Sequence, residues 1–422
     1  MRLRRWLRCA LPFALLAATA AHAGTLTIES WRVDDKRLWE EVLIPAFQRS
    51  HPGIEVKFVP TAPTEYDGAL AGRLAAGTAG DLVACRPFDM SLSLYRKGYL
   101  DRLDGKPGMQ NFSPTAMVAW QTDNGRDTFC MPLASVIHGF FYNKKIFRRL
   151  DLQAPRTVAD FFTVLEVLKK AGVAPLAFGT ADKWESSQIV FTNIGPNFWR
   201  GEEGRKALIA GKARLTDAPF VDALRFEARM GRYLEANAAT QTYRDSQARF
   251  ASGQAAIYPS GSWDIAPFSR VPNLELGVFA PPVRAPGGAC YISDHMDLGI
   301  GVNRQSKNKD DAYRFLAWVG SQEFADLYTN RLTGFFTLSN HLIAVRDPIA
   351  KQMAEWRNSC ASTIRFNAQV LNRGRPSMES ALWDINARVL NGEITPEQAA
   401  ATLQQGFASW YRPQRKQGWR DD

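Results

Sequence analysis

The chain has 422 residues, of which 45% are hydrophobic and 22% are charged, a composition typical of soluble globular proteins rather than disordered ones. This length indicates two or three domains. Five cysteines are too few for a scaffold built on disulfides. The formal charge of +10 is compatible with nucleic acid or an anionic surface as a binding partner.

The N-terminus has the pattern of an export signal. Four arginines lie within the first eight residues, an apolar stretch runs from Leu11 to Ala21, and Ala21-His22-Ala23 presents the small residues that a signal peptidase reads. We therefore predict a signal peptide over residues 1–23 and a periplasmic location. Loss of the four arginines lowers the charge from +10 to +6, and the remaining basic residues are scattered, so nucleic-acid binding is disfavoured.

The remaining cysteines are even in number. Cys85, Cys130, Cys290 and Cys360 would enter an oxidising compartment, where one or two disulfides can form among three full pairings. The sequence does not choose among these pairings. Because no Cys-x-x-Cys occurs and the histidines are isolated, we expect no metal site and no cofactor.

Strands and helices alternate along the first part of the chain. Alternating apolar residues predict strands at Leu26 to Ser30 and Ile54 to Phe58, and a short apolar run predicts a third at Asp81 to Cys85. A helix with a kink at Pro45 is predicted between the first two, and a second helix over Ala69 to Ala76 ends at Gly77. This order predicts an α/β fold with a mostly parallel sheet.

The same pattern continues towards the C-terminus. Thr157 with Asp160 predicts a capping box, and Thr395-Pro396 predicts another helix start. Further strands and one apolar helix face are predicted at 139–142, 255–258, 276–280, 298–302 and 312–319.

Catalytic motifs are largely missing from the sequence. It contains no His-Glu-x-x-His, no phosphate-binding loop and no Gly-x-Ser-x-Gly. Glycoside hydrolysis needs only two carboxyl groups about 5–10 Å apart, so Asp34-Asp35, Asp264 and Asp297 remain candidates for it.

Aromatic and polar residues follow the predicted strands directly. Trp31-Arg32 comes after the first strand and Arg86 after the third, and ligands of open α/β sheets bind beyond the carboxyl ends of the strands. Trp184 and Trp263 lie in similar polar surroundings. An indole offers a broad apolar face that suits the C–H face of a sugar, and neighbouring charged groups can bind its hydroxyls.

Several segments together resemble a known family over nearly the whole chain. They are TLTIESW, LAGRLAAGTAGDLVAC, PLASVIHGFFYNKKIF, PSGSWDI and SKNKDDAYRFLAWV. In this order they are similar to the extracellular solute-binding proteins of family 1, the maltose-binding-protein-like carbohydrate receptors of ABC importers. The chain departs from the family pattern at Gly80, where proline is usual, and at Val158, where tryptophan is usual.

The resemblance implies a type II periplasmic-binding-protein fold, with two α/β lobes and a ligand cleft between them. The N-terminal lobe would comprise residues 24–134 and 280–332, and the C-terminal lobe residues 135–279 and 333–422. Crossovers would lie near Ala134, Phe279 and Thr333.

The resemblance also implies a set of cleft residues. Those that would stack on sugar rings are Trp31, Trp184, Trp263 and Phe335. Those that would bind hydroxyls are Asp297 and Arg86, with further contacts from Arg32, Tyr66, Asp264 and His138.

The family implies a non-enzymatic, monomeric receptor that delivers a sugar or oligosaccharide to the membrane permease subunits of an ABC importer. Two alternatives stay open. Arg32 and Arg86 suit an anionic ligand such as a sugar acid or a sugar phosphate. Export, acids and aromatics are also compatible with a secreted enzyme acting on glycans.

Overall fold

The computed structural model describes residues 24–415, so the predicted signal peptide lies outside the described residues. Ten strands occur within this range. They are β1 (Leu26–Ser30), β2 (Val56–Pro60), β3 (Leu82–Cys85), β4 (Met131–Asn143), β5 (Ala174–Leu176), β6 (Ala255–Gly261), β7 (Leu276–Phe279), β8 (Tyr291–Val302), β9 (Phe336–Thr337) and β10 (Ala361–Thr363).

The α-helices pack around these strands, with short 3-10 turns between several of them. They are α1 (Lys36–Leu38), α2 (Ile44–Ser50), α3 (Tyr66–Ala76), α4 (Asp89–Arg96), α5 (Pro114–Met117), α6 (Lys144–Arg149), α7 (Val158–Lys170), α8 (Thr192–Ile194), α9 (Pro196–Trp199), α10 (Glu202–Ile209), α11 (Ala218–Gly231), α12 (Tyr243–Ala251), α13 (Ile265–Phe268), α14 (Lys309–Val319), α15 (Gln322–Arg331), α16 (Pro348–Glu355), α17 (Met378–Leu390) and α18 (Pro396–Trp410).

The first three strands form the predicted β-α-β-α-β unit. Strand β1 lies between β2 and β3 and is parallel to both, with Ile28 opposite Phe58 and Leu82. Helix α3 ends at Gly77, whose φ of +71° is the left-handed conformation that glycine adopts without a steric cost. The carboxyl ends of β1 and β3 therefore lie side by side.

Near Pro45, where the sequence predicts a kink, the helix contains a π-helical turn. Between α1 and α2 the residues Trp39–Leu43 form a π-helical turn, and the N–H of Ile44 bonds to the carbonyl of Trp39. Proline cannot donate a hydrogen bond and its ring crowds the carbonyl four residues earlier, so the extra residue per turn accommodates it.

Beyond β3 the sheet is mixed, so the prediction of a mostly parallel sheet is wrong there. Strands β4 and β8 are long, run antiparallel to each other, and β8 also pairs antiparallel with β3. The N-terminal part of β4 pairs with β8, while its C-terminal part pairs antiparallel with β6 and β7. Apolar alternation reveals that a strand exists, but it carries no information on strand direction.

The buried apolar residues form separate cores along this sheet. The first core draws on residues 26–136 and 298–335 and also includes Ala368. The second and third cores draw mainly on residues 137–292 and 336–407. The chain passes from one set to the other within β4, within β8 and between Phe335 and Phe336. We call the parts around the first core and around the other two the N-terminal and C-terminal lobes.

Two helices of the C-terminal lobe, α7 and α18, begin at the capping residues that the sequence predicts. The hydroxyl of Thr157 accepts the N–H of Asp160 at 3.1 Å, and the carboxylate of Asp160 accepts the N–H of Thr157 at 3.0 Å. Thr395 and Gln398 make the same reciprocal pair at the start of α18. Both predicted helix starts are confirmed, since these bonds satisfy donors that the first helical turn leaves free.

Two disulfide bonds cross-link the chain near the strands that join the lobes. Cys85 at the end of β3 is bonded to Cys130, which precedes β4. Cys290, which precedes β8, is bonded to Cys360, which precedes β10. Both of the crossing strands are thus covalently tied to a neighbour. None of the helices between residues 24 and 415 has the length and apolar character needed to span a bilayer.

A buried carboxyl group in α11 generates a prediction about stability. Glu227 is fully buried in the C-terminal lobe, and neither of its carboxylate oxygens has a partner among the described residues. Burial raises the pKa of this carboxyl well above its usual value. The folded chain therefore keeps a proton that the unfolded chain releases, and stability falls as the pH rises above about 4.5.

We expect Glu227→Gln to raise the free energy of unfolding at pH 8 by about 1–3 kcal/mol, because an amide stays neutral. The gain should shrink as the pH falls towards 4, as measured by urea unfolding at several pH values. Glu203→Gln, at an exposed position of α10, is the control and should change stability by less than about 0.5 kcal/mol. Parallel pH curves for the wild type and Glu227→Gln would contradict the prediction.

Candidate functional site

The carboxyl ends of β1 and β3 bring three of the predicted site residues together. Trp31 is nearly buried; the guanidinium of Arg86 lies 4.5 Å from the centre of its ring, and the ring of Tyr66 lies 5.6 Å away. The Nε of Arg86 donates to both carboxylate oxygens of Asp67 at 2.8 Å. The hydroxyl of Tyr66 donates to the carbonyl of Ala84 at 2.8 Å. This bond fixes the buried ring of Tyr66, against which Trp31 packs.

Arg32, two residues after β1, also has a carboxylate partner. Arg32 donates to both oxygens of Asp35, at 2.8 and 2.9 Å, and its guanidinium lies 4.6 Å from the ring centre of Phe335. Burial opposes the charge of Arg32, but the carboxylates of Asp35 and Asp297 outweigh it and raise its pKa. Since Phe335 has no exposed surface, the structure places it as a support beneath Arg32.

Two histidines face each other between the crossing strands. The rings of His138 on β4 and His295 on β8 lie 5.0 Å apart, and both are buried. Burial, with the charge of Arg365, lowers the pKa of His138 to about 3 and that of His295 well below its usual value. Both imidazoles are therefore neutral at pH 7. Among the described residues, neither ring nitrogen of His138 makes a well-aligned hydrogen bond.

Arg365 links these histidines to the predicted Asp297. Its Nε donates to Nε2 of His295 at 2.7 Å, and its terminal nitrogen donates to Asp297 at 2.9 Å. Because Nε2 of His295 accepts, the ring proton lies on Nδ1, which is 3.4 Å from the hydroxyl of Ser293. Sequence reasoning missed Arg365, which stands in an irregular segment after β10 and outside every motif.

The C-terminal lobe contributes an aromatic group held by hydrogen bonds. The Nε1 of Trp263 donates to the hydroxyl of Tyr243 at 3.0 Å, and that hydroxyl donates to Asp264 at 2.7 Å. Trp184 lies against Tyr243 with ring centres 5.0 Å apart. Tyr243, the first residue of α12, is therefore a second residue that sequence reasoning missed, because its helix start shows only a capping pattern.

Asp264 has a supporting position rather than a free one. Its carboxylate is buried and also accepts from Gln247 at 2.7 Å and from Ser260. Burial raises its pKa even though these hydrogen bonds oppose the shift. With its oxygens occupied in this way, Asp264 orients Trp263 through Tyr243.

Trp263 lies at one of the places where the two lobes meet. Its partly exposed ring packs against both the first and the second core, and it contacts His138 edge-on at 5.1 Å. Contacts continue from there through His295 and Arg365 to Asp297. The structure thus joins three of the predicted residues, His138, Trp263 and Asp297, in one chain of contacts between the lobes.

The charges in this region compensate one another. Arg32 is paired with Asp35, Arg86 with Asp67 and Arg365 with Asp297. Each guanidinium has one carboxylate partner, so the site is close to neutral while still offering many donors and acceptors. Among residues 24–415, no cluster of three or more histidine, cysteine, aspartate or glutamate side chains is arranged to hold a metal ion.

Comparison with known proteins identifies the family. The sequence profile of the bacterial extracellular solute-binding proteins matches residues 31–325. The chain belongs to this family. It is 24% identical over 290 residues to the multiple sugar-binding protein of Streptococcus mutans, and 25% identical over 260 residues to an uncharacterized ABC transporter extracellular-binding protein of Pyrococcus horikoshii. The alignments span 66% and 60% of these relatives and the same shares of this chain.

Solved structures of this family have the same fold. A chitin oligosaccharide binding protein matches with a TM-score of 0.79 at 21% identity, covering 92% of this chain and 99% of its own. A solute-binding protein in complex with raffinose matches with a TM-score of 0.76 at 19% identity, covering 93% of this chain and 100% of its own. These likenesses confirm the predicted two-lobed α/β fold.

The support of Trp263 generates a second prediction. Tyr243→Phe removes the acceptor of the indole N–H and one donor to the buried Asp264, so we expect a loss of about 1–3 kcal/mol in unfolding free energy. The near-ultraviolet circular dichroism of the tryptophans should also weaken, because Trp263 is no longer held in one orientation. Tyr233→Phe is the control, since its hydroxyl bonds to Glu166 at 3.2 Å near the surface. Unchanged dichroism for Tyr243→Phe would contradict the positioning role.

Proposed function

We propose that this chain is an extracytoplasmic receptor that binds a neutral sugar or oligosaccharide between its two lobes and delivers it to an ABC importer. The observation that carries this proposal is the position of Trp263, a partly exposed indole that contacts both lobes and is oriented by Tyr243. A rigid aromatic face at a closing interface favours sugar rings, whose C–H faces are apolar and whose edges are polar.

The polar groups around Trp263 suit hydroxyl recognition. Asp297 and Arg365 form an ion pair, and ionised groups make stronger hydrogen bonds to hydroxyls than neutral groups do. His138 lies beside the indole but has no exposed surface, so it is proposed to support the ring of Trp263 rather than to bind the sugar directly. Trp31, Arg32, Arg86 and Trp184 are proposed to complete the cleft, with Tyr66, Asp264 and Phe335 supporting them.

Charge compensation favours a neutral ligand over an anionic one. A carboxylate or phosphate on the ligand would have to compete with Asp35, Asp67 or Asp297 for a guanidinium that is already paired. A hydroxyl can join such a pair as both donor and acceptor without adding charge. The binding of a sugar acid or a sugar phosphate is therefore not proposed.

The acids of the region do not favour glycoside hydrolysis. Asp35 and Asp297 are each bonded to an arginine, and Asp264 is saturated by buried donors. A glycosidase needs one acid free to protonate the leaving oxygen and a second free to attack or to activate water. We therefore propose a receptor without turnover.

The names of relatives support the choice of ligand class and of partner. The streptococcal relative is named as a multiple sugar-binding protein, and the archaeal relative as an ABC transporter extracellular-binding protein. The structural neighbours include proteins with raffinose and with stachyose. By the same argument, the permease subunits of an importer are the proposed partners. A periplasmic location and a monomeric state stay predictions from the sequence.

The division of the chain between lobes is also a proposal. The change of core within β4 lies near the crossover expected at Ala134, and the change after Phe335 lies near the one expected at Thr333. For the middle crossover we propose the stretch of β8 between Ile292 and Leu298, rather than the expected position near Phe279.

Titration calorimetry of the chain from Gly24 onward tests the function. The panel contains neutral monosaccharides, oligosaccharides, sugar acids and polyols, and each mixture is analysed for products after the titration. Saturable one-to-one binding of a neutral sugar that is recovered unchanged is the expected result. Product formation would contradict the receptor, and binding of sugar acids alone would contradict the neutral ligand.

Replacement of Trp263 tests the position of the cleft. We expect Trp263→Ala to weaken the binding of the identified sugar at least tenfold, about 1.4 kcal/mol, because it removes the aromatic face. Trp263→Phe keeps an aromatic face and should retain more of the affinity than Trp263→Ala in the same calorimetric titration. Equal affinity of Trp263→Ala and the wild type would place the sugar elsewhere.

A further inference from the structure

An arginine outside the cleft connects the two lobes through ion pairs. The Nε of Arg373 donates to Asp89 at 2.7 Å, and its terminal nitrogens donate to both oxygens of Asp123, at 2.7 and 3.2 Å. Arg96 also donates to Asp123, at 2.6 Å. Two arginines and two aspartates therefore form one compact, balanced group, which we call the Arg373 cluster.

The members of the Arg373 cluster come from different lobes. Arg373 lies between Leu371 and Met378, which are both buried in the second core, whereas Ala368, five residues before Arg373, belongs to the first core. Asp89 begins α4, whose Leu92 is buried in the first core, and Asp123 follows Trp120 of the same core. The contacts of Arg373 with the two aspartates therefore exist only while the lobes lie together.

Because Asp89 is nearly buried, its ion pair with Arg373 matters more for stability than an ordinary exposed ion pair. Its side chain is only 10% exposed, and its second carboxylate oxygen has no partner among the described residues. A charge that loses water needs a partner, and here the partner is Arg373 from the opposite lobe. When the lobes separate, water can replace the arginine.

The backbone on both sides of the cluster is strained. Phe88, directly before Asp89, has a φ of +61°, and Gln369 and Val370, shortly before Arg373, have φ values of +55° and +33°. Residues other than glycine adopt such conformations at a cost, which persists where surrounding contacts compensate for it. Strained residues thus lie in both segments that carry the Arg373 cluster.

We propose that Arg373 is a clasp that favours the arrangement with the lobes together, and that it thereby sets the affinity of the cleft without touching the ligand. The first half of this inference needs no ligand, while the second half rests on the proposed function. The apparent affinity of a site that forms only on closure scales with the fraction of closed molecules, so a residue that changes this fraction changes affinity from a distance.

The clasp has a characteristic dependence on pH. Burial raises the pKa of Asp89 despite Arg373; the charge of Asp123 adds to this shift and that of Arg96 opposes it. Without Arg373, Asp89 would take up a proton when the lobes close and release it when they open. Lower pH would then favour closure of an Arg373→Gln variant, and it would affect the wild type less.

Distances between spin labels on the two lobes measure closure directly and without a ligand. Cysteines are introduced at Arg37 and Lys170, whose side chains are 78% and 75% exposed, and the four described native cysteines are in disulfides. At pH 8 we expect Arg373→Gln to lower the closed population at least threefold relative to the wild type, and to regain much of it at pH 5.

Two further variants separate the clasp from other effects. Arg96→Gln breaks an ion pair of the same cluster within one lobe and leaves both bonds across the lobes in place, so it should not lower the closed population. Asp89→Asn combined with Arg373→Gln removes the uncompensated carboxylate and should restore closure at pH 8. An unchanged distance distribution for Arg373→Gln at pH 8, or an equal loss for Arg96→Gln, would overturn the clasp. Because no sugar is present, neither result depends on the proposed ligand.

Discussion

Two antiparallel strands, β4 and β8, pass side by side through both lobes, and the arrangement of the site depends on this pairing. Val136 lies opposite His295, and the next residues towards the C-terminal lobe place His138 beside it. Neighbouring strands are about 5 Å apart, so side chains on adjacent strands must contact each other. A ligand region built here necessarily includes groups from strands shared by both lobes.

Compensated charge is the second constraint on the region between the lobes. Closing two lobes around arginines and aspartates removes these charges from water, which is costly unless each charge has a partner. The pairs of Arg32 with Asp35 and of Arg365 with Asp297 meet this requirement before any ligand enters. The Arg373 cluster applies the same rule outside the cleft, with the difference that its partners come from opposite lobes. The proposed closure and the proposed choice of a neutral ligand thus rest on the same electrostatic requirement.

Much of the fold could be predicted from sequence because its signals are local. The parallel strands β1 to β3 follow apolar alternation, and the capping boxes at Thr157 and Thr395 follow from two residues each. Strand direction beyond β3 could not be predicted, since β4 and β8 are paired over a long sequence separation. The disulfide pairing could not be predicted for the same reason, since the bonded cysteines are 45 and 70 residues apart in sequence.

The site could be predicted only in part, for the same reason. Trp31 and Arg86 stand at strand ends, where sheet topology itself indicates a binding edge. Arg365 reaches the region from an irregular segment, and its partners His295 and Asp297 precede it by 70 and 68 residues. Asp264 is predicted as a cleft residue, but the contacts that give it a supporting position come from Tyr243 and Gln247 of another helix. Contacts between side chains that are this far apart in sequence cannot be inferred from the spacing of residues.

The crystal structure of the chain with its bound sugar is the measurement that tests the account most directly. We expect a sugar ring in van der Waals contact with Trp263, with hydroxyls bonded to the Asp297–Arg365 pair and with both lobes contacting the ligand. A sugar bound to one lobe alone, or outside the region between β4 and β8, would contradict it.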